Sequence, residues 1–402
     1  MTKTLFEQAK PILKTLQSNQ HQAYFVGGSV RDYLMHKTIH DIDITTSATP
    51  DEVEAIFEKT IPIGREHGTI NVVYNGEHYE VTTFRAEGDY DDHRRPNEVF
   101  FVRELYEDVK RRDFTMNAIA MDADFHIHDY FNGQQDIKNR IIRTVGNAQE
   151  RFNEDALRII RGLRFQSQLG FSLENETFYG MQSHINDIEH LSIERIVVEL
   201  KKLTSGKYVA NSSENLQRLN AFNYIPFFKH YNLSNFILNE AIPFTLLVAL
   251  LKVQQPSING NLNDLKISNN DKKYISKLEN LLNQLPNIKS KSEFKILIYD
   301  YGEQDIQSIL NYMDLHIKNH LPSFSPLIIN TQSVKEVSKQ LPIQSRKDID
   351  INGKDILEVV NKQSGPWLKT ILRDIEIAII DGDVQNIKSE LIRWVNSHVE
   401  IQ

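Results

Sequence analysis

The sequence predicts an α+β protein, with a mixed-sheet head at its N-terminus followed by an elongated all-α region, and three observations carry that expectation. Short β-like runs alternate with turns and short helices from residue 22 to 131. From about residue 150 the apolar spacing becomes helical. No apolar run approaches the length of a membrane span, so no membrane partner is expected. A chain of 402 residues leaves room for about two to four structural units.

At the N-terminus, Leu5, Phe6, Ile12, Leu13 and Leu16 share one helical face, which Pro11 is expected to interrupt early; the segment does not read as a signal peptide. Strands are expected at 22–26 (QAYFV), 41–44 (DIDI), 69–74 (TINVVY) and 78–84 (HYEVTTF). The last two are joined through Asn75-Gly76-Glu77, a strong hairpin signal between alternating apolar runs. A second hairpin is expected from AIAMD (118–122) and HIHDYF (126–131). Between these strands one helix opens at Gly27-Gly28-Ser29 and another is capped near Thr49-Pro50-Asp51. Segments 150–169, 185–203, 264–284, 304–318 and 367–381 have helical spacing, while the stretch 205–345 carries no functional motif.

There are no cysteines, which excludes disulfides and cysteine-ligated zinc and suits a cytoplasmic enzyme that uses a hard, oxygen-ligated metal. The net charge of −8 argues mildly against a nucleic-acid partner. Clustering leaves RNA binding open. Residues 138–164 carry Lys138, Arg140, Arg143, Arg151, Arg158, Arg161 and Arg164 against Glu150, Glu154 and Asp155, a local charge of +7 − 3 = +4.

Asp41-Ile42-Asp43-Ile44 is the chemical centre. On a strand, residues two apart share a side, so Asp41 and Asp43 project together while Ile42 and Ile44 enter the core. Paired carboxylates repel unless a cation lies between them, and such ligands suit Mg²⁺ completed by substrate phosphates. Upstream, Val26-Gly27-Gly28-Ser29-Val30-Arg31-Asp32 turns from a strand into a helix. Glycines there allow backbone N–H groups to approach a phosphate, and Arg31 is placed to pair with it; Gly28 and Arg31 are therefore triphosphate candidates. The combination resembles the DNA polymerase β-type nucleotidyltransferase superfamily, in which a third carboxylate follows on a later strand. Glu80, in Tyr79-Glu80-Val81, best matches that position.

Two arginine segments narrow the resemblance. In Arg111-Arg112-Asp113-Phe114-Thr115-Met116-Asn117-Ala118, Asp113 is expected to cap a helix just after two arginines. In residues 151–165, Ala156, Ile159, Ile160 and Leu163 share one arc of a single helix, and Asp155, Arg158, Arg161 and Arg164 spiral over the other. From Asp155 to Arg164 such a helix rises roughly 13–14 Å, comparable to a nucleotide from base to triphosphate. GGSVRD, DIDI, RRDFTMNA and EDALRIIRGLRF, in this order, resemble the motifs of the bacterial (class II) tRNA nucleotidyltransferases, the CCA-adding family. Ile351-Asn352-Gly353-Lys354-Asp355-Ile356-Leu357 and Gly365-Pro366-Trp367-Leu368 are similar to that family's distal region.

The resemblance implies template-independent addition of C, C and A to the 3′ end of tRNA, with CTP and ATP as substrates and Mg²⁺ at Asp41 and Asp43. It implies that Asp155 and Arg158 read the base, and that Arg112, Arg161 and Arg164 bind ribose and phosphates. It also implies that Arg85 to Pro96 is a loop that lets the site switch from C to A. The expected organisation is a catalytic head (1–140), a helical neck with the nucleotide-selecting helix (141–203), a helical body (204–290) and a tRNA-binding tail (291–402). A bacterial poly(A) polymerase and a non-catalytic RNA-binding relative are the rival readings.

Overall fold

The alternating runs of the head form one mixed sheet in the computed structural model, which describes residues 2–87, 90–91, 95–96, 99–234, 236–258, 260–312, 323–324 and 327–398. The strands are β1 (Ala23–Val26), β2 (Asp43–Thr46), β3 (Thr60–Ile61), β4 (Thr69–Tyr74), β5 (Glu77–Thr83), β6 (Ile119–Met121) and β7 (Ile127–Asp129). Their order is β7-β6-β1-β2-β5-β4-β3. Only β2 and β5 run parallel, with Asp43 opposite Glu80 and Ile44 opposite Val81. The β4–β5 hairpin turns at Asn75 (φ 51°) and Gly76 (φ 84°), the left-handed pair that a two-residue hairpin of matching twist requires.

Helices α1 (Thr2–Ser18), α2 (Gly28–Leu34) and α3 (Pro50–Ile56) belong to the head, and α3 opens on the expected cap as a Thr49/Glu52 capping box. One face of the sheet buries Phe25, Ile42, Ile44, Ile70 and Val81 against Phe6, Ile12, Leu13 and Leu16 of α1. The other buries Val26, Phe84 and Ala120 with Leu105 and Val109 of α4 (Leu105–Lys110). Contrary to expectation, α1 runs unbroken through Pro11. Fully burying Phe6, Ala9, Ile12, Leu13 and Leu16 outweighs the roughly 3 kcal/mol that an interior proline costs.

A second correction concerns DIDI. Strand β2 starts at Asp43, not Asp41, and continues to Thr46. Val26 pairs with Asp43, and Gly27 then turns the chain away at φ 73°, so β1 offers Asp41 no partner. Of the Arg85–Pro96 loop, residues 88–89 and 92–94 lie outside the described residues; its first strand, Arg85–Glu87, pairs with Val99–Phe101, and Tyr90–Asp91 pairs with Arg95–Pro96.

Helices follow: α5 (Gly133–Asn139), α6 (Ala148–Glu154), α7 (Leu157–Leu169), α8 (Asn175–His184), α9 (Ile193–Thr204) and α10 (Val209–Arg218). The expected single helix over 150–169 is therefore two, broken where Asp155 is extended (φ −142°, ψ 102°). The expected helix over 185–203 is a 3₁₀ stretch, Ile185–His190, followed by α9. Phe114, Met116 and Ile142 pack with Phe165 of α7 and so tie this helix to the head. Gly162 makes the approach possible, since a Cβ there would lie 2.5 Å from Met181 Cε and 3.0 Å from Phe114 Cζ.

The chain divides into two compact units, Met1–Pro243 with Gly260–Ile267, and Phe244–Asn259 with Ser268–Gln402. The second is built of α11 (Phe244–Gln254), α12 (Asn269–Gln284), α13 (Lys291–Tyr301), α14 (Glu303–Asn311), α15 (Thr331–Gln340), α16 (Gly353–Val360), α17 (Pro366–Asp381) and α18 (Lys388–His398). Of the segment expected to be helical over 304–318, residues 313–318 lie outside the described residues. The distal motifs mark helix starts: Asn352 and Asp355 form a capping box on α16, and Gly365-Pro366 opens α17. Among the described residues, no helix is long and apolar enough to cross a membrane.

Candidate active site

The site is assembled where β1 gives way to α2. Gly27 holds a positive φ, and a Cβ on it would sit 3.2 Å from Arg112 Nη1 and 3.5 Å from Asp43 Oδ2. This glycine is thus needed for backbone conformation and to let an arginine and a carboxylate flank the turn. One turn into α2, Arg31 is buried; its Nη1 donates to Asn117 Oδ1 (2.7 Å) and its Nε to Asp32 Oδ1 (2.9 Å).

Asp43 begins β2 beside Glu80. Burial raises its carboxyl to about 6, helped by the negative charges of Asp41 and Glu80 and opposed by Arg112. Asp41 is exposed just before the strand, and its charge still reaches Asp43. Among the described residues, no three His, Asp or Glu side chains form a ready metal-ligand group. The observed donors nevertheless fit a hard cation: they are carboxylate oxygens whose mutual repulsion a divalent ion would relieve.

Opposite stand the arginines. Arg111 Nη2 donates to Asp108 Oδ1 (3.0 Å) and Arg112 Nη2 to Asp108 Oδ2 (3.4 Å). Asp108 is fully buried; burial opposes its ionisation, but Arg112 and Arg111 outweigh that and hold the carboxyl low. Arg112 Nε is buried and has no hydrogen-bond partner among the described residues, which suits a donor meant for an anionic ligand.

Asp113 does not cap a helix. The turn after it is a short 3₁₀ segment, Thr115–Asn117, preceded by Phe114. Instead, Asp113 Oδ2 accepts from Arg161 Nε (2.9 Å) and Nη2 (2.6 Å), while its Oδ1 accepts from Phe114 N and Asn117 Nδ2. Burial works against its charge, yet Arg161 and these donors bring the carboxyl down to about 2. The residue anchors the arginine helix to the head.

On α7, Arg158 Nη1 donates to Glu154 Oε2 (2.6 Å) and Arg151 O (2.9 Å), and its Nη2 to Arg111 O (3.1 Å). Arg164 lies 3.8 Å over the Phe165 ring, with its Nε 2.5 Å from Glu199 Oε2. Because Asp155 precedes the helix, only Arg158 to Arg164 follow helical rise, about 9 Å. Asp155 Oδ1 accepts from Leu157 N (3.0 Å) and its Oδ2 from Arg195 Nη2 (2.8 Å).

A cavity of about 580 Å³ gathers these groups. Gly28, Arg31, Asp43, Arg112, Asp155, Arg158, Arg161 and Arg164 all line it; Asp41 does not. Sequence reasoning missed Arg195, which also lines it, and Glu199 behind it; Asn117, Phe165 and Arg85, further lining residues, lay within its motifs and loop but were given no individual role. The spacing of Arg195 and Glu199 on α9, four residues apart, was the one available signal.

A glycine turn and carboxylates on a mixed sheet, facing arginines across a cavity, define a nucleotidyltransferase. Residues 23–143 match the family described as the Poly A polymerase head domain, residues 170–232 the probable RNA and SrmB-binding site of polymerase A, and residues 238–395 the putative tRNA nucleotidyltransferase domain 2. The chain is 65% identical over 399 residues to the CCA-adding enzyme of Staphylococcus saprophyticus, covering 99% of this chain and 100% of that one. It is 57% identical over 401 residues to that of Staphylococcus epidermidis, with 100% of both chains covered. The crystal structure of the Bacillus stearothermophilus CCA-adding enzyme in complex with CTP superposes with a TM-score of 0.80, at 34% identity, over 98% of this chain and 97% of that one. The chain belongs to the CCA-adding enzymes, a nucleotidyltransferase family that generally uses divalent metal ions.

Proposed function

We propose that the cavity selects CTP and ATP and passes C, C and A in turn to the 3′ end of tRNA, releasing pyrophosphate each time. The observation that carries this reading is a single cavity lined by Asp43 and by Asp155 with Arg158. Cytosine and adenine each present an amino donor beside a ring-nitrogen acceptor, and uracil and guanine reverse that order. The Asp155 carboxylate accepts from the amino group and Arg158 donates to the ring nitrogen, so the wrong bases leave buried groups unpaired.

Gly28, Arg31 and Arg112 hold the triphosphate near Asp43, and Arg161 and Arg164 complete the ribose and phosphate contacts. Asp41 and Asp43 would hold Mg²⁺, which would supply activation of the RNA 3′-hydroxyl and charge stabilisation of the leaving pyrophosphate. The hydroxyl oxygen bonds to the α-phosphorus as the bond to the β-phosphate breaks. Residues 1–140 serve as catalytic head, 141–203 as neck, and 204–290 and 291–402 as body and tail that hold tRNA through its backbone. A cytoplasmic location accords with a cysteine-free chain that matures tRNA.

The test is extension of tRNA lacking its CCA end, with each nucleotide and Mg²⁺. Ordered addition that stops after one A supports the reading. A run-on A tail from ATP alone identifies a poly(A) polymerase instead, and no extension leaves an RNA-binding relative.

A further inference from the structure

We infer that Arg195 is a positioning residue for base selection, fixing the Asp155 carboxylate in the orientation that accepts a base amino group. The inference rests on Asp155 being the base reader. Asp155 stands between α6 and α7 with extended backbone, so helical geometry does not settle where its side chain goes. Two contacts do. Leu157 N holds Oδ1 at 3.0 Å, and Arg195 Nη2, from the separate helix α9, holds Oδ2 at 2.8 Å.

The contact matters because a competing attraction exists. The charge of Asp155 already reaches Arg161, and Arg158 stands one helical turn away on α7. Released from Arg195, the carboxylate is drawn toward those guanidinium groups. There it becomes a partner in an internal ion pair and stops being an acceptor for substrate. Arg195 pulls it back from α9 and lines the cavity itself. One turn further along α9, Glu199 ion-pairs with Arg164 and stands 3.7 Å from Arg161. The same helix face thus restrains the base-reading and phosphate-side groups.

The experiment measures kcat/KM for CTP, ATP, UTP and GTP on tRNA substrates, with Arg195→Met, Arg195→Lys, Asp155→Asn and the double variant Arg195→Met/Asp155→Asn. Methionine keeps most of the apolar stem and removes the donor, and melting curves check that each variant folds. Arg195→Met is expected to reduce discrimination against UTP and GTP at least tenfold, mainly through slower CTP and ATP incorporation. Arg195→Lys should recover part of it, and the double variant should discriminate no worse than Asp155→Asn alone. A uniform fall for all four nucleotides with Arg195→Met, while Asp155→Asn changes discrimination, overturns the inference and leaves Asp155 as base reader. Unchanged discrimination in Asp155→Asn overturns the base-reading assignment itself. Failure of Arg195→Met to fold, with Arg195→Lys folded and unaltered in discrimination, also overturns the inference.

Discussion

Asp43 at the start of β2 and the arginines of α7 border the same cavity in opposite electrostatic states. Burial, with like charge from Asp41 and Glu80, pushes the Asp43 carboxyl up to about 6 against the pull of Arg112. Each arginine of α7, by contrast, has its counter-charge in place: Glu154 for Arg158, Asp113 for Arg161 and Glu199 for Arg164. One wall therefore carries unbalanced negative charge, while the other is neutralised internally. On the proposed function, the strained carboxylate lies where a metal would bind and the paired arginines lie where recognition needs fixed donors.

The largest effect that sharpens this contrast is on turnover. Asp43→Asn should lower tRNA extension by about a thousandfold or more while tRNA binding, measured by filter retention, persists. The same substitution should stabilise the metal-free protein at neutral pH, by about 2 kcal/mol after allowing for partial solvent exposure. The sign follows from the raised carboxyl: its contribution to stability is fully present below about pH 4 and is lost as pH rises through about 6. Urea melts at several pH values check it, and an Asp43→Asn protein that is less stable at pH 7 breaks the comparison.

Asp113→Asn should do the reverse. It leaves Arg161 without its main partner and should cost about 3 kcal/mol in urea unfolding. Asp113 is held down at about 2, so its contribution is complete above about pH 4 and disappears as pH falls toward 2; the variant should lack this acid-sensitive phase.

Smaller again is the effect on choice. Arg158→Met should reduce discrimination against UTP and GTP by about 10- to 100-fold, the range expected for leaving one buried hydrogen-bond set unmet. An equal loss for all four nucleotides would assign base reading elsewhere. The smallest expected change is Gly162→Ala, which drives a methyl group against Phe114 and Met181 and should cost about 1–2 kcal/mol.

Much of the site was legible because its chemistry demands residue types that local structure does not. Arg158, Arg161 and Arg164 at three-residue spacing, or two carboxylates beside an Ile-rich run, exceed what a solvated surface needs. The sheet was readable from its period-two alternation and from Asn75-Gly76. Pro11 misled, since propensity describes an isolated helix and α1 is held by burial. DIDI misled about Asp41, because the start of β2 is set by the length of β1 and the turn at Gly27. Arg195 and Glu199 stayed hidden because their partners, Asp155 at 40 residues' separation and Arg164 on another helix, become neighbours only when α9 packs on α7.

The sequence by itself determined the carboxylate pair, the glycine turn, the arginine helix and the change from sheet to helices, each a local pattern of spacing and residue type. Tertiary structure alone decided how those groups are poised. It set Glu80 beside Asp43 by strand register, converted Asp113 from an expected cap into the anchor of Arg161, and broke the expected single arginine helix at Asp155. The physical reason is that charge, unlike helical or strand period, acts between groups distant in the chain, so its balance exists only once packing has fixed their separations.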